Sequence, residues 1–130
     1  MKGVIIKKIE PVYSDERGVI TDLLNKKINH VGLITTTKES IRGNHYHKKS
    51  IQYSYILSGK FEVVVAELSN LNNKERIILN SGEIIIIEPG IVHAFRAIED
   101  SNMIDMVSES REGEGYEDDT FKDIRLLPEE

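Results

Sequence analysis

Short apolar runs separated by turn residues recur along the chain up to about residue 109. Phe61, Val63 and Val65 occupy alternate positions, which is typical of a strand with one buried face. The four consecutive isoleucines of 84–87 indicate a strand buried on both faces. No stretch before residue 109 has the 3.6-residue periodicity of an amphipathic helix. The pattern therefore predicts an all-β domain.

About ten short strands are predicted, and frequent turns between them favour a sandwich or a barrel. The predicted strands are 3–9, 19–24, 30–37, 41–46, 51–57, 60–68, 76–79, 84–87, 93–97 and 102–108.

The end of the chain has a different character. Residues 109–119 are acidic and contain glycine, so Asp118 and Asp119 are expected in a solvated tail. Residues 120–127 predict a short helix or an extra strand. We therefore expect one domain over 1–130, with a core of about 30–108 and an acidic tail over 109–130.

Composition narrows the class of protein. A chain of 130 residues with 39% hydrophobic and 30% charged residues suits one folded globular domain. A net charge of -5 gives no bulk attraction to nucleic acid or to an anionic membrane. The chain has no cysteine, which excludes disulfides and thiolate metal sites. No apolar stretch reaches the roughly 18 residues of a membrane span, and Lys7 and Lys8 interrupt the first apolar run. We expect a cytoplasmic protein with neither a nucleic-acid nor a membrane partner.

The candidate chemistry lies around two histidines in one predicted strand. His45 and His47 are two residues apart, so their rings point to the same face. Gln52 begins the next strand and brings an amide to the same region. One interpretation is a polar patch whose histidines are simply hydrogen-bonded, and the other is a functional pocket.

A metal site is one form that such a pocket takes. Imidazole nitrogens bind divalent metals such as Zn, Ni, Fe or Mn, and an amide oxygen adds a further ligand. The candidate ligands are His45, His47, Gln52 and His93. A glutamine is a neutral and weaker ligand than a glutamate, which argues against tight binding.

The spacing of these residues resembles the two motifs of the cupin superfamily. The first cupin motif runs His-x-His, three or four residues, Glu, six residues, Gly, and here it reads His45-x-His47, then Gln52, then Gly59. In the second motif Gly82, Gly90 and His93 are in register. The proline is displaced by one place to Pro89, and Ala97 replaces the final asparagine. The resemblance implies an all-β jelly-roll barrel, and it favours a functional pocket.

A narrower resemblance is to cupins that act on nucleotide-linked sugars. The run from Arg42 to Lys49, Arg-Gly-Asn-His-Tyr-His-Lys-Lys, is similar to the Arg-Gly-x-His-x-His-Lys-Lys of the sugar 3,4-ketoisomerases, which also carry glutamine where Gln52 stands. The sugar 3,5-epimerases share the start of this run but have glutamine in place of a second histidine. Residues 15–18, Asp-Glu-Arg-Gly, resemble the Asp-x-Arg-Gly opening of the group.

This resemblance implies an isomerase or epimerase for a nucleotide-linked 4-keto-6-deoxyhexose. His47 is expected to remove a proton beside the ketone, giving an enediol or enolate, and His45 to relay the proton or polarise the carbonyl. Residues expected to contact the nucleotide-diphosphate sugar are Arg42, Arg17, Gln52, Tyr53, Tyr55 and Lys49. For the two arginines, surface ion pairs are the alternative to a bidentate grip on the diphosphate.

The resemblance also bears on cofactors and assembly. Sugar-modifying cupins generally work without metal, so no cofactor is expected, although a divalent metal stays possible. A homodimer is implied by the group and by the apolar edge strand Val4 to Ile6. Two alternatives remain open: a non-catalytic cupin that binds a metal or small ligand, and a metal-dependent dioxygenase or isomerase.

Overall fold

The computed structural model describes residues 1–129 and contains twelve strands and one short helix in that range. In chain order these elements are β1 (Val4–Lys8), β2 (Tyr13–Asp15), β3 (Gly18–Ile20), β4 (His30–Thr36), β5 (Ile41–His47), β6 (Gln52–Ser58), β7 (Lys60–Glu67), β8 (Glu75–Asn80), β9 (Glu83–Ile87), β10 (Ile91–Ala97), β11 (Ser101–Val107), α1 (Gly115–Asp119) and β12 (Thr120–Phe121).

Ten of the strands form two five-stranded antiparallel sheets. The first sheet has the order β1-β9-β6-β11-β4 and the second the order β12-β5-β10-β7-β8. Neighbours in each sheet are often distant in sequence, as in a jelly roll. The strands β2 and β3 form a separate hairpin around the predicted turn at 15–18. The all-β prediction is confirmed.

The main core contains side chains of both sheets. Its fully buried members include Ile56 and Ile85 from the first sheet and Phe61, Val63 and Leu79 from the second. Ile85 and Ile87 are buried on one face of β9, and Ile84 is buried on the other face. This confirms that β9 is covered on both sides. The main core therefore lies between the two sheets.

Strand β7 is buried more completely than its sequence predicts. The alternation of Phe61, Val63 and Val65 predicts one buried face, but Val64 and Ala66 on the opposite face are also buried. Leu126 and Leu127 pack against this outer face in a second core cluster. The half-buried prediction is wrong for this strand because a segment about sixty residues away covers its outer face.

Two other predictions need correction. The strand predicted over 19–24 ends at Ile20, and the following residues are irregular. Leu23 and Leu24 from this stretch pack against the outer face of the first sheet. The expected tail contains the short helix Gly115–Asp119, and of the helix or extra strand predicted over 120–127 the structure has a two-residue strand, Thr120–Phe121. Within residues 1–129 no helix has the length and apolar character needed to cross a membrane.

Candidate active site

A cavity of about 450 Å³ lies between the two sheets beside the main core, whose Phe95 and Met103 are among its lining residues. Strand β5 contributes Arg42, His45 and His47, and strand β10 contributes His93. The C-terminal segment forms part of the mouth. The volume falls in the range of about 300–1,000 Å³ that is usual for small-molecule sites.

Three imidazoles meet in this cavity. His45 and His47 are on the same face of β5, and His93 pairs with His45 across the β5–β10 ladder. The ring centroid of His45 lies 4.9 Å from that of His47 and 4.7 Å from that of His93. The centroids of His47 and His93 are 5.5 Å apart. The predicted convergence of the two motifs is present in the structure.

Gly43 makes the close approach of β5 to β10 possible. Its φ is +94°, and a Cβ there would lie 2.7 Å from the carbonyl oxygen of His93. The ladder between the two strands shifts register between His93 and Ala94. A side chain at residue 43 would be strained by its backbone conformation and would push the strands apart.

The tautomer of His93 follows from its hydrogen bond. Its Nδ1 lies 3.0 Å from the carbonyl oxygen of Ile91, and a carbonyl only accepts, so Nδ1 carries the proton. The lone pair is therefore on Nε2. That atom is buried and has no hydrogen-bond partner among the described residues.

Burial keeps all three imidazoles neutral. It lowers the pKa of His93 to about 3 and that of His45 to about 4, and neighbouring imidazoles and cations add to the effect. The pKa of His47 is also lowered by burial, although the charge of Asp119 and a hydrogen bond to Gln52 partly oppose this. Neutral imidazole is the form that accepts a proton or binds a metal.

A polar chain runs from Gln52 into the first sheet. Gln52 Nε2 donates to Ser54 Oγ at 3.0 Å, and Ser54 Oγ donates to Asp105 Oδ1 at 2.8 Å. Because the amide nitrogen of Gln52 is the donor, its other amide atom, Oε1, is a hydrogen-bond acceptor. Asp105 is buried at the cavity wall, and burial raises the pKa of its carboxyl to about 6.

Asp119 is part of the site, so its expected place in a solvated tail is wrong. Its carboxylate accepts hydrogen bonds from the backbone N–H groups of Lys48, Lys49 and Ser50, and from the Ser50 hydroxyl at 2.5 Å. Burial alone would raise the pKa of Asp119. The pKa is lowered instead, because these donors stabilise the carboxylate. The adjacent Thr120 Oγ1 lies 3.2 Å from Nδ1 of His47. The C-terminal segment thus holds the loop after β5.

Arg42 is the one predicted arginine that the structure brings into the cavity. Its Nε donates to Thr36 Oγ1 at 2.9 Å and its Nη2 to the Thr35 carbonyl at 2.6 Å, which orient the guanidinium. Arg17 instead lies in the exposed β2–β3 hairpin and pairs with Asp15 at 2.6 Å. A carboxylate two residues away therefore holds Arg17 outside the cavity.

Three other predicted contact residues also lie outside the cavity. Tyr53 and Tyr55 alternate with the inward-facing Gln52 and Ser54, so they point to the outer face of the first sheet and pack there with Ile84 and Met106. Lys49 is exposed in the loop after β5, where its backbone N–H binds Asp119.

Comparison with known proteins decides the family. A family model described as a cupin domain matches residues 33–107, more than half of the chain. The chain belongs to the cupin family. The predicted membership is confirmed, and no curated protein matches the sequence.

Solved structures share the fold of this cupin over most of its length. A mutant 3,4-ketoisomerase from Thermoanaerobacterium thermosaccharolyticum, in complex with TDP-4-keto-6-deoxyglucose, is 22% identical with a TM-score of 0.77, covering 98% of this chain and 99% of that one. A 3,4-ketoisomerase from Helicobacter canadensis is 22% identical with a TM-score of 0.77, covering 92% and 90%.

A third structure is a dTDP-4-dehydrorhamnose 3,5-epimerase from Sulfolobus tokodaii. It is 20% identical with a TM-score of 0.70, covering 87% of this chain and 74% of that one. At these identities the likeness establishes a common cupin jelly roll.

Several residues of this cupin site escape prediction from sequence. Asp105 could have been predicted, because it is a charged residue between Met103 and Val107 in an otherwise apolar set of alternate positions. The other missed residues belong to the segment after β11, which has no periodicity to place it: Arg111, Tyr116, Asp119 and Thr120.

The donor set of the cupin cavity also fits a divalent metal. One ligand atom from each of His45, His47 and His93 lies within 4.8 Å of the others. His93 donates its Nδ1–H to a backbone carbonyl and leaves Nε2 for a ligand, the arrangement usual for a metal-binding histidine. With Oε1 of Gln52 these nitrogens would hold the ion. A bound metal supplies Lewis-acid polarisation of a carbonyl.

Proposed function

We propose that this cupin isomerises or epimerises a nucleotide-linked 4-keto-6-deoxyhexose by proton transfer. The observation that carries the proposal is the pair of neutral imidazoles, His45 and His47, side by side on the wall of a ligand-sized cavity. The likeness to sugar ketoisomerases and an epimerase supports the substrate class.

The chemistry begins at the carbon beside the ketone. His47 takes a proton from that carbon, and the electron pair of the broken C–H bond moves to form an enediolate with the negative charge on the carbonyl oxygen. In isomerisation the hydroxyl on the first carbon passes its proton to His45 as that carbon becomes the new ketone, His45 delivers a proton to the neighbouring carbon, and the proton held by His47 goes to the former carbonyl oxygen, so both imidazoles end neutral. In epimerisation the first carbon is reprotonated from its opposite face while His47 releases its proton to solvent, and His45 donates a hydrogen bond to the carbonyl oxygen. The second imidazole is 4.9 Å away by centroid, so one ligand reaches both.

Substrate binding is assigned to the residues that the cavity contains. Gln52 presents its amide oxygen beside His47, and Arg42 is held by two hydrogen bonds while other N–H groups remain for a phosphate. Roles for Arg17, Lys49, Tyr53 and Tyr55 would require contacts outside this cavity.

Deuterium uptake tests the proposed reaction directly. In heavy water the protein should exchange hydrogen next to the ketone of TDP-4-keto-6-deoxyglucose. The variant His47→Asn should slow the exchange by about 10²–10⁴-fold, the usual contribution of a general base. The variant His45→Asn should slow reprotonation at the neighbouring carbon more than the first exchange. Binding of several 4-keto sugar nucleotides without exchange would reject the proposal.

A metal-binding cupin is the second candidate, and one observation favours it. The buried Nε2 of His93 has no partner among residues 1–129 and lies in a cluster of ligand atoms. Elemental analysis of protein purified without chelator tests this function. A stoichiometric metal that is lost from His93→Gln would support it, and unchanged exchange activity after chelation would separate it from the isomerase.

The proposal also includes a homodimeric state and a cytoplasmic location. The exposed Ile5 and Ile6 of β1 support a homodimer. The absence of cysteine and the net charge of -5 are compatible with a cytoplasmic protein that binds no nucleic acid.

A further inference from the structure

The two arginines that line the cavity differ from three that lie outside it. Outside the cavity, Arg17 pairs with Asp15, and both Arg76 and Arg96 pair with Glu62. The two that line the cavity, Arg42 and Arg111, have no carboxylate partner among the described residues. An arginine without a counter-ion at a cavity is available to a negatively charged ligand.

Arg111 is oriented without using most of its hydrogen-bond donors. Its guanidinium carbon lies 3.8 Å from the ring centroid of Tyr116, a cation–π contact. Its Nη1 also approaches Nε2 of His30 at 3.5 Å. Apart from this contact, no hydrogen bond from the guanidinium is present among the described residues, so its other N–H groups remain for an acceptor.

The charge of Arg111 is close to the reacting groups. This residue lines the same cavity as His45 and His47 on β5 and Asp105 on β11. Arg111 follows β11 of the first sheet, whereas Arg42 lies on β5 of the second.

Negative charges at the cavity do not cancel these two arginines. The Asp119 carboxylate is directed at the N–H groups after β5, and Asp105 is bound by Ser54. Glu109 lines the mouth but forms no ion pair with Arg111 within the described residues.

We propose that Arg111, supported by Tyr116, is a second ligand of the substrate diphosphate and binds it together with Arg42. This inference rests on the proposed function for the class of substrate. Two guanidinium groups suit the two charged phosphates of a nucleoside diphosphate, because each forms bidentate hydrogen bonds with phosphate oxygens.

Isothermal titration with TDP, inorganic pyrophosphate and thymidine tests the proposal. Arg111→Ala should weaken TDP and pyrophosphate by about ten- to a hundredfold, which is the loss of a charge-assisted hydrogen bond. Thymidine has no phosphate, so its binding should be unchanged. Arg111→Lys should recover part of the affinity, because it restores the charge but not the planar fork.

Tyr116 provides a second and independent readout. Tyr116→Phe keeps the ring face and should bind TDP like the wild type, whereas Tyr116→Leu should weaken it several-fold. Arg76→Gln removes an ion-paired arginine outside the cavity and is the matched control, with no expected change in TDP binding. Circular dichroism of each variant confirms folding.

The outcomes separate this inference from the proposed function. Unchanged TDP affinity in Arg111→Ala would overturn the role of Arg111 while the exchange assay stands. Equal losses for thymidine and TDP would also overturn it, because the contact would then be to the nucleoside. Wild-type protein that binds neither TDP nor pyrophosphate would overturn it too, and deuterium exchange then decides the isomerase proposal separately.

Discussion

At the scale of single residues, burial determines when the candidate bases are active. His45 and His47 are taken out of water by the cavity walls, which disfavours their charged forms. A base must be unprotonated, and burial lowers the pKa of His47, the proposed base, below its ordinary value. The ordinary histidine pKa of about 6.5 therefore does not set the working range.

We predict that the exchange rate falls with decreasing pH with a midpoint below 6.5, because the pKa of His47, the proposed base, is lowered by burial. The measurement is the pH–rate profile of deuterium exchange at saturating substrate, with circular dichroism at each pH to confirm folding. A decline centred near 6.5 would mean that the active imidazole is exposed to solvent, contrary to its position in the cavity.

Asp105 offers a second test at this scale. Its folded pKa is raised from 3.8 to about 6, so at pH 7 folding carries the cost of a buried carboxylate. Asp105→Asn keeps an acceptor for Ser54 and should stabilise the protein by about 2–3 kcal/mol at pH 7, because each tenfold change in proton affinity corresponds to about 1.4 kcal/mol.

The stabilisation by Asp105→Asn should shrink as pH falls from about 6 to about 4, because the wild-type carboxyl then becomes neutral in the folded state. Urea unfolding at several pH values measures this. The control Asp22→Asn, at an exposed position, should change stability by less than about 0.5 kcal/mol. A destabilising Asp105→Asn at pH 7 would show that the carboxylate has a partner that offsets its burial.

Sequence identified the centre of the site because its spacing is local. His45 and His47 are two positions apart in one strand, and the second motif places His93 opposite them. Arg17 was misplaced because an ion pair to a neighbouring carboxylate is as compatible with its motif as a phosphate contact. Tyr53 was misplaced because the face that Gln52 takes is fixed only when the sheet forms.

At the scale of elements, the C-terminal segment is what the sequence predicts least well. Strand β12 has only two residues, which leaves no periodicity to detect, yet it pairs with β5 beside His47. Leu126 and Leu127 then cover the outer face of β7 and β10. Contacts at this sequence separation are decided by tertiary packing, so the longer strands were predicted directly, whereas the sequence left helix and strand open for 120–127.

Asp119 is the main polar anchor of this segment. Replacing it by alanine leaves the N–H groups of Lys49 and Ser50 without their acceptor, so Asp119→Ala should destabilise the protein by about 1.5–3 kcal/mol, the usual effect of losing hydrogen bonds to a charged group. Urea unfolding at pH 7 gives this difference. The exposed neighbour provides the control Asp118→Ala, expected within about 0.5 kcal/mol of wild type.

The effect of Asp119→Ala also has a defined pH dependence. The folded pKa of Asp119 lies below the ordinary 3.8, so its stabilisation is complete above that pH and is lost as pH falls further. Equal destabilisation by Asp118→Ala and Asp119→Ala would indicate general loss of acidic charge from the segment, and it would contradict the anchor.

At the scale of the whole molecule, the exposed apolar side chains are distributed unevenly. The first sheet ends in β1 and β4, and each edge carries large exposed side chains, including Ile5 at 49% and Leu33 at 66% exposure. Unpaired edges with apolar side chains favour association with another chain. The second sheet has an exposed apolar residue as well, Ile78 on its edge strand β8, at 50% exposure.

We predict that the protein is a homodimer at micromolar concentration and that it associates through β1. An aspartate in a packed interface would lose its hydration without gaining a partner, so Ile5→Asp should shift the protein to monomer. Sedimentation equilibrium measures the mass against concentration.

Leu33→Asp tests β4 in the same way, and Ile78→Asp is the control for adding a charge at an exposed isoleucine of comparable exposure. Dissociation by Leu33→Asp alone would move the interface to β4, and dissociation by all three variants would indicate a general charge effect. A monomeric wild type at these concentrations would contradict the dimer outright, because no interface would then remain for Ile5→Asp to break.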